Sequence, residues 1–178
     1  MGGPVSERER IALFESTVLP YLDAAYNLAR WLARDPVEAE DLTQESMLRA
    51  LTYFDSFRGG DGRAWLLAIV RNAFYTSAKR RRAMGRQEPL DDEALAGCDL
   101  PDTEALLHER ITVAELGPAI EALPVRFREA IVLREIEGLS YREIASVVGI
   151  PIGTVMSRLA RARGLLKQRL TAGSGKEA

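Results

Sequence analysis

Apolar residues return every three or four positions along most of this chain, and no stretch of useful length alternates apolar with polar residues as a half-buried strand does. The pattern predicts an all-α protein. A first helix is expected over residues 7–18. Pro20 then restarts the chain, and Leu22, Ala25, Ala29 and Leu32 mark the inner stripe of a second helix. "DPVE" supplies a start signal, with Asp35 as N-cap, Pro36 at the first helical position and Glu38 three residues past the cap, for a helix to about Phe54. After the loop "FDSFRGGDG" a long helix is expected over residues 63–84. Its segment 64–75 is apolar on nearly every side except at Arg71 and Asn72, the pattern of a buried helix.

The pattern weakens over residues 87–112, where "QEPLDDEALAGCDLPDTEALLHER" combines two prolines, an acidic excess and sparse apolar residues. Such a stretch suits a flexible linker, with domains over 7–86 and 113–172 on either side. Helices are expected in the second domain near 113–122 and 124–137, with Gly138 as a stop. Next comes "LSYREIASVVGIPIGTVMSRLARAR", in which Ser140 and Glu143 form a capping box, Gly149 ends one helix and Pro151 sits in the first turn of the next. This is a helix-turn-helix signature. Val155, Leu159, Ala162 and Leu166 share the inward face of its second helix, leaving Gly153, Met156, Ser157, Ala160 and Arg161 outward.

Charge sharpens this picture. The 178 residues carry a net charge of only −2, but like charges are gathered into blocks. Residues 62–87 hold seven basic side chains and no acid (Arg63, Arg71, Lys79, Arg80, Arg81, Arg82, Arg86), and residues 88–109 hold eight acids and neither Lys nor Arg. Residues 144–172 are again acid-free with five basic side chains (Arg158, Arg161, Arg163, Lys167, Arg169). A helix-turn-helix with an acid-free basic surface points to duplex DNA. Arg161 and Ser157 are placed to reach base edges, and Thr154, Arg158, Arg163 and Lys167 to contact phosphates.

Other chemistry is thinly represented. One cysteine, Cys98, and one histidine, His108, assemble neither a disulfide framework nor a Cys/His zinc site. "RGGDG" lacks the Gly-Lys-Ser/Thr ending of a phosphate loop. "MGGPVS" fits a loose myristoylation pattern without a polybasic partner. No apolar run approaches the roughly 20 residues of a membrane span, so direct membrane insertion is not expected and the cytoplasm is the natural compartment.

Three features leave alternatives open. In "VEAEDLTQESMLRALTYF", Ala39, Leu42, Ser46, Ala50 and Phe54 face one way, and Asp41, Gln44, Glu45 and Leu48 the other. The second face suits either a protein-docking patch, an apolar anchor with a polar rim, or a solvated acidic surface. Asp41 and Glu45 would also begin a carboxylate metal site, but no second helix offers matching ligands. Asn72 is either a core amide satisfied by backbone or the mark of a cavity for an unstacked base. Phe74 and Tyr75 lead into Lys79, Arg80, Arg81 and Arg82, which fits either core packing or a stacking platform beside a basic track for single-stranded nucleic acid.

Together, "AEDLTQESMLRAL", "FRGGDGRAWLLAIVRNAFYTSAKRRR" and "ALPVRFREAIVLREIEGLSYREIASVVGIPIGTVMSRLARAR" resemble the extracytoplasmic-function (ECF) sigma factors of bacterial RNA polymerase, in the family's order and over nearly the whole chain. The resemblance implies a promoter-specificity subunit without catalysis or cofactor, with an anti-sigma factor as inhibitor. Its partners would be core RNA polymerase, through the β′ clamp helices and the β subunit, and promoter DNA, both as duplex and as melted strand. Asp41, Gln44, Glu45 and Leu48 would dock on polymerase. Asn72, Tyr75 and the basic run 79–82 would capture and melt the minus-ten element. Ser157 and Arg161 would read the minus-thirty-five element, with Arg134 on the DNA backbone. Met156 and Ala160 depart from the larger polar or aromatic readers common in the family. A helix-turn-helix regulator that acts without polymerase is the alternative.

Overall fold

The structure is a computed structural model and describes residues 6–85 and 113–174. The predicted linker over 87–112, with Cys98 and His108, lies outside the described residues, as does most of "MGGPVS". The described residues divide into two compact units, the first formed by the residues up to Arg81 together with Ser146–Val148 and the second by the remainder. Every regular element in them is helical, and no strand occurs among them.

The first unit contains α1 (Glu7–Thr17), a short 3₁₀ turn (Leu19–Tyr21), α2 (Leu22–Ala33), α3 (Pro36–Thr52), a second 3₁₀ turn (Phe54–Ser56) and α4 (Gly62–Ala83). Ser6 and Glu9 cap α1 reciprocally. The backbone N–H of Glu38 donates to Asp35 Oδ1 at 2.9 Å, the N-cap bond expected from "DPVE". Along α2 the buried stripe is Ala25, Leu28, Ala29 and Leu32, whereas Leu22 is exposed. The inner face therefore includes Leu28 in place of Leu22, which opens the helix.

Where the sequence shows a loose glycine-rich loop, the structure shows a tight junction. Phe14 meets Phe54 edge-on at 5.3 Å, Phe54 stacks on Phe57 at 5.9 Å, and Trp65 lies 5.2 Å from Phe57. These rings join α1, the end of α3 and the start of α4 into one apolar cluster. The Arg63 backbone N–H donates to Asp61 Oδ1 at 2.9 Å, which caps α4. Gly62, just inside the helix, is buried, and a Cβ on it would lie 2.3 Å from the carbonyl oxygen of Thr17. Only glycine lets α4 start so close to the end of α1.

The second unit contains α5 (Val113–Glu121), α6 (Val125–Ile131), a π turn (Val132–Ile136), α7 (Tyr141–Val148) and α8 (Ile152–Ser174). Its core includes Leu123, Phe127, Leu133, Ile144, Val155 and Leu159, and α5 and α6 both pack on α8. Arg128 is buried, and its Nη1 donates to the carbonyls of Glu121 at 2.7 Å and Leu123 at 3.0 Å. It thereby satisfies backbone acceptors left open beyond α5. The single helix expected over 124–137 instead widens after Ile131, where the Glu137 N–H reaches the Val132 carbonyl at 2.9 Å. Gly138, at φ +67°, then ends the element as expected.

Candidate nucleic-acid interface

The capping box of α7 forms as the sequence predicts. Ser140 Oγ accepts from the Glu143 N–H at 3.3 Å, and Glu143 Oε2 accepts from the Ser140 N–H at 2.6 Å. Gly149 takes φ +72° and turns the chain into α8. Pro151 precedes α8 instead of lying within its first turn, and its carbonyl accepts from the N–H groups of Thr154 and Val155. The inward face is Val155, Leu159, Ala162 and Leu166, all buried. Gly153, Met156, Ser157, Arg161 and Lys167 are exposed, and Thr154, Arg158, Ala160 and Arg163 are half-buried.

Arg163 and Arg134, both predicted DNA contacts, are engaged within the fold. Arg163 Nη2 pairs with Glu135 Oε1 at 2.7 Å, and this hydrogen bond holds the guanidinium pKa above its ordinary value. Arg134 Nη1 donates to the Leu139 carbonyl at 2.9 Å, and its guanidinium lies 5.0 Å from the Tyr141 ring centroid. Both interactions anchor the π turn, one to α8 and one to the start of α7. Glu135 and Arg163 are 28 residues apart. No local pattern in the sequence announces such a pair.

On α3, Ala39, Leu42, Ser46 and Ala50 are buried, as is Phe54 just beyond the helix. The hydroxyls of Thr43 and Ser46 donate to the carbonyls of Ala39 at 2.7 Å and Leu42 at 2.6 Å, so polar residues enter this core satisfied. The opposite face presents Asp41 and Gln44, both exposed, and Leu48 at 67% exposure. Glu45 is half-buried and holds Arg49 at 2.6 Å one turn along. Val37 and Leu51, passed over in reading the sequence, are also exposed and fall on this ridge by helical spacing. Their placement on this exposed face was legible, since 37, 41, 44, 48 and 51 repeat at intervals of four and three.

Along α4 the expectation of burial on nearly every side is corrected. Leu66, Leu67, Val70, Ala73 and Phe74 are buried, but Ala64, Ala68 and Ile69 are only half-buried and Asn72 is exposed. Asn72 is thus no core amide. Its Oδ1 lies 3.5 Å from Arg71 Nη1, and the Arg71 guanidinium sits 4.6 Å over the ring of Tyr75. Phe74 serves the core, while half-buried Tyr75 meets it edge-on at 5.3 Å. In the basic run, Lys79, Arg80 and Arg82 are exposed. Arg81 reaches back to Glu38 on α3 at 3.6 Å. Among the described residues no group of three or more His, Cys, Asp or Glu is placed to hold a metal ion.

The family description "Sigma-70 region 2" matches residues 17–84, and "Sigma-70, region 4" matches residues 114–166. The RNA polymerase sigma-H factor of Pseudomonas aeruginosa is 34% identical, the match covering 88% of this chain and 86% of that one. The ECF RNA polymerase sigma-E factor of Haemophilus influenzae is 33% identical, over 80% of this chain and 79% of that one. The chain belongs to the ECF sigma factors.

A longer relative, the ECF sigma factor SigE of Mycolicibacterium smegmatis, is 34% identical over 93% of this sigma factor, which spans 64% of that relative's length. Among solved structures, the sigma factor RpoE of Bartonella quintana, in complex with the anti-sigma factor NepR, has 32% identity and a TM-score of 0.68. That match covers 89% of this sigma factor and 96% of RpoE. Region 2 thus takes in the exposed face of α3 and the surface of α4, and region 4 takes in the helix-turn-helix. No single helix among the described residues is long and apolar enough to cross a membrane.

Proposed function

We propose that this chain binds core RNA polymerase through region 2 and directs promoter recognition, promoter melting and transcription initiation as an alternative sigma factor. The observation that carries this reading is the presence, in one chain and in order, of region 2 with an exposed α3 face and region 4 with an acid-free second helix in its helix-turn-helix. A regulator that acts on duplex DNA alone has no use for the first of these. The working parts are residues 7–86 for polymerase and the minus-ten element, and 113–172 for the minus-thirty-five element, joined by 87–112.

In this assignment the α3 face of Asp41, Gln44, Glu45 and Leu48 docks on the β′ clamp helices. Asn72 and Tyr75, with Lys79, Arg80, Arg81 and Arg82, engage the melted minus-ten strand. The exposure of Asn72 supports this, because a surface amide beside a half-exposed ring is accessible to an unstacked base. Ser157 and Arg161 read base edges, and Thr154, Arg158 and Lys167 touch phosphates. Arg134 and Arg163 contact the DNA backbone beside them, each reaching it from its intramolecular partner. The B. quintana RpoE–NepR complex supports an anti-sigma partner for this chain as well. The chain carries out no reaction of its own, uses no cofactor and works in the cytoplasm.

The decisive experiment combines purified core polymerase, with and without the chain, and a genomic promoter library, scored by mapping transcript starts. Specific starts that need both components are expected. Duplex binding that is indifferent to polymerase would sink the reading. Arg161→Ala should weaken upstream duplex selection about tenfold, within the roughly 1–3 kcal/mol of a bidentate base contact. Asn72→Ala should instead reduce strand opening, read by permanganate reactivity of unpaired thymines, more than closed binding. Equal loss of closed binding in both variants would contradict that division.

Glu135 is expected to restrain Arg163. Glu135→Gln removes the acidic partner and leaves the guanidinium available to phosphate. The slope of log binding constant against log salt for upstream duplex should then steepen by about one unit. An unchanged slope would show that Arg163 does not exchange partners.

A further inference from the structure

The reading helix carries apolar side chains where its own domain does not cover them. Ile152 is 42% and Met156 53% exposed, one helical turn apart, and half-buried Ala160 continues the row at the next turn. Their surroundings do not resemble a protein-docking patch, because residues 144–172 contain no acid and five basic side chains. That charge suits a polyanion. Gly153 lies beside the row, takes no positive φ, and a Cβ on it would meet nothing within 4 Å. Neither conformation nor packing among the described residues requires glycine there. A missing side chain at that point does let another molecule approach the backbone closely.

The floor of the major groove offers one prominent apolar feature, the C5 methyl of thymine. Met156 has no N–H or O–H to donate, and its thioether accepts only weakly. It cannot pair the cytosine amino group or the guanine oxygen, so seating it against a G·C pair would strip water from polar groups without replacing the bonds. Against thymine it buries a methyl group. Its unbranched, polarizable chain also adapts to small differences in groove depth. We propose that Met156, seconded by Ile152, reads thymine methyl groups and is a specificity-determining residue of α8. This rests on the assignment of α8 to promoter duplex.

The test uses holoenzyme assembled from core polymerase and the full chain, which selects from a duplex library randomised upstream of the start site. Thymines enriched in the selected sites are then replaced one at a time by deoxyuridine, which deletes only the methyl. At one or two positions, binding should weaken about fourfold, the value of one buried methyl group. Met156→Ala should lower that sensitivity below twofold, and Met156→Leu, which keeps an apolar side chain, should retain it. Because Met156 is exposed, neither change threatens the fold. Methyl deletion without effect in the unaltered chain, or with equal effect in Met156→Ala, overturns this inference while leaving promoter reading intact. Failure to enrich any duplex overturns promoter reading, and this inference with it.

Discussion

Leu48→Asp is expected to weaken binding of this sigma factor to core RNA polymerase by about thirtyfold or more. Interface energy concentrates in a few apolar anchors, and truncating one typically removes about 2 kcal/mol or more. At Leu48 the effect is compounded, because the new carboxylate would have to give up its hydration to enter the interface. Leu48 is 67% exposed, so the folded chain loses little when it changes. The measurement pairs a fluorescence titration of the labelled chain against core polymerase with thermal unfolding of the chain alone. A loss of affinity below threefold would remove α3 from the docking surface. A matching fall in unfolding temperature would assign the effect to folding.

Gly62→Ala is expected to have the largest effect on stability. The added methyl would sit 2.3 Å from the Thr17 carbonyl oxygen and 2.9 Å from Thr17 Cγ2. A backbone carbonyl cannot rotate aside as a side chain does, so α1 and α4 must separate and loosen the ring cluster of Phe14, Phe54, Phe57 and Trp65. Overpacking of this kind costs about 3 kcal/mol. In a unit of this size that lowers the unfolding temperature by roughly 10 °C or more. Gly153→Ala is the matched control, since a Cβ there meets nothing within 4 Å and its unfolding temperature should not fall. Calorimetry of both variants decides the point, and equal stability of the two would show that the helix junction yields cheaply.

The residues that could be read in advance are those whose structural signal is local. Asp35, Pro36 and Glu38 start α3, and Ser140, Glu143 and Gly149 shape the turn before α8, because capping bonds and left-handed turns join atoms within four residues of one another. The two faces of α3 and of α8 were legible for the same reason. Helical spacing alone separates buried Leu42 and Leu159 from exposed Leu48 and Met156. The α4 surface was not legible in this way. Its composition is apolar around most of the cylinder, so the pattern has no clear direction, and only the neighbouring helices decide that Asn72 is exposed while Phe74 is buried.

By itself, then, the sequence determined the all-helical class, the helix-turn-helix and the outward residues of α3 and α8, since each follows from periodicity and short-range hydrogen bonding. Tertiary structure alone decided the π turn after Ile131, the Glu135–Arg163 and Glu38–Arg81 pairs, the capping carbonyl contacts of Arg128 and the need for glycine at position 62. The two ion pairs and the Gly62 contact with Thr17 depend on how one helix meets another across many residues of chain, and the π turn and Arg128, though local, carry no capping or spacing signal. No residue type announces its partner at such a distance.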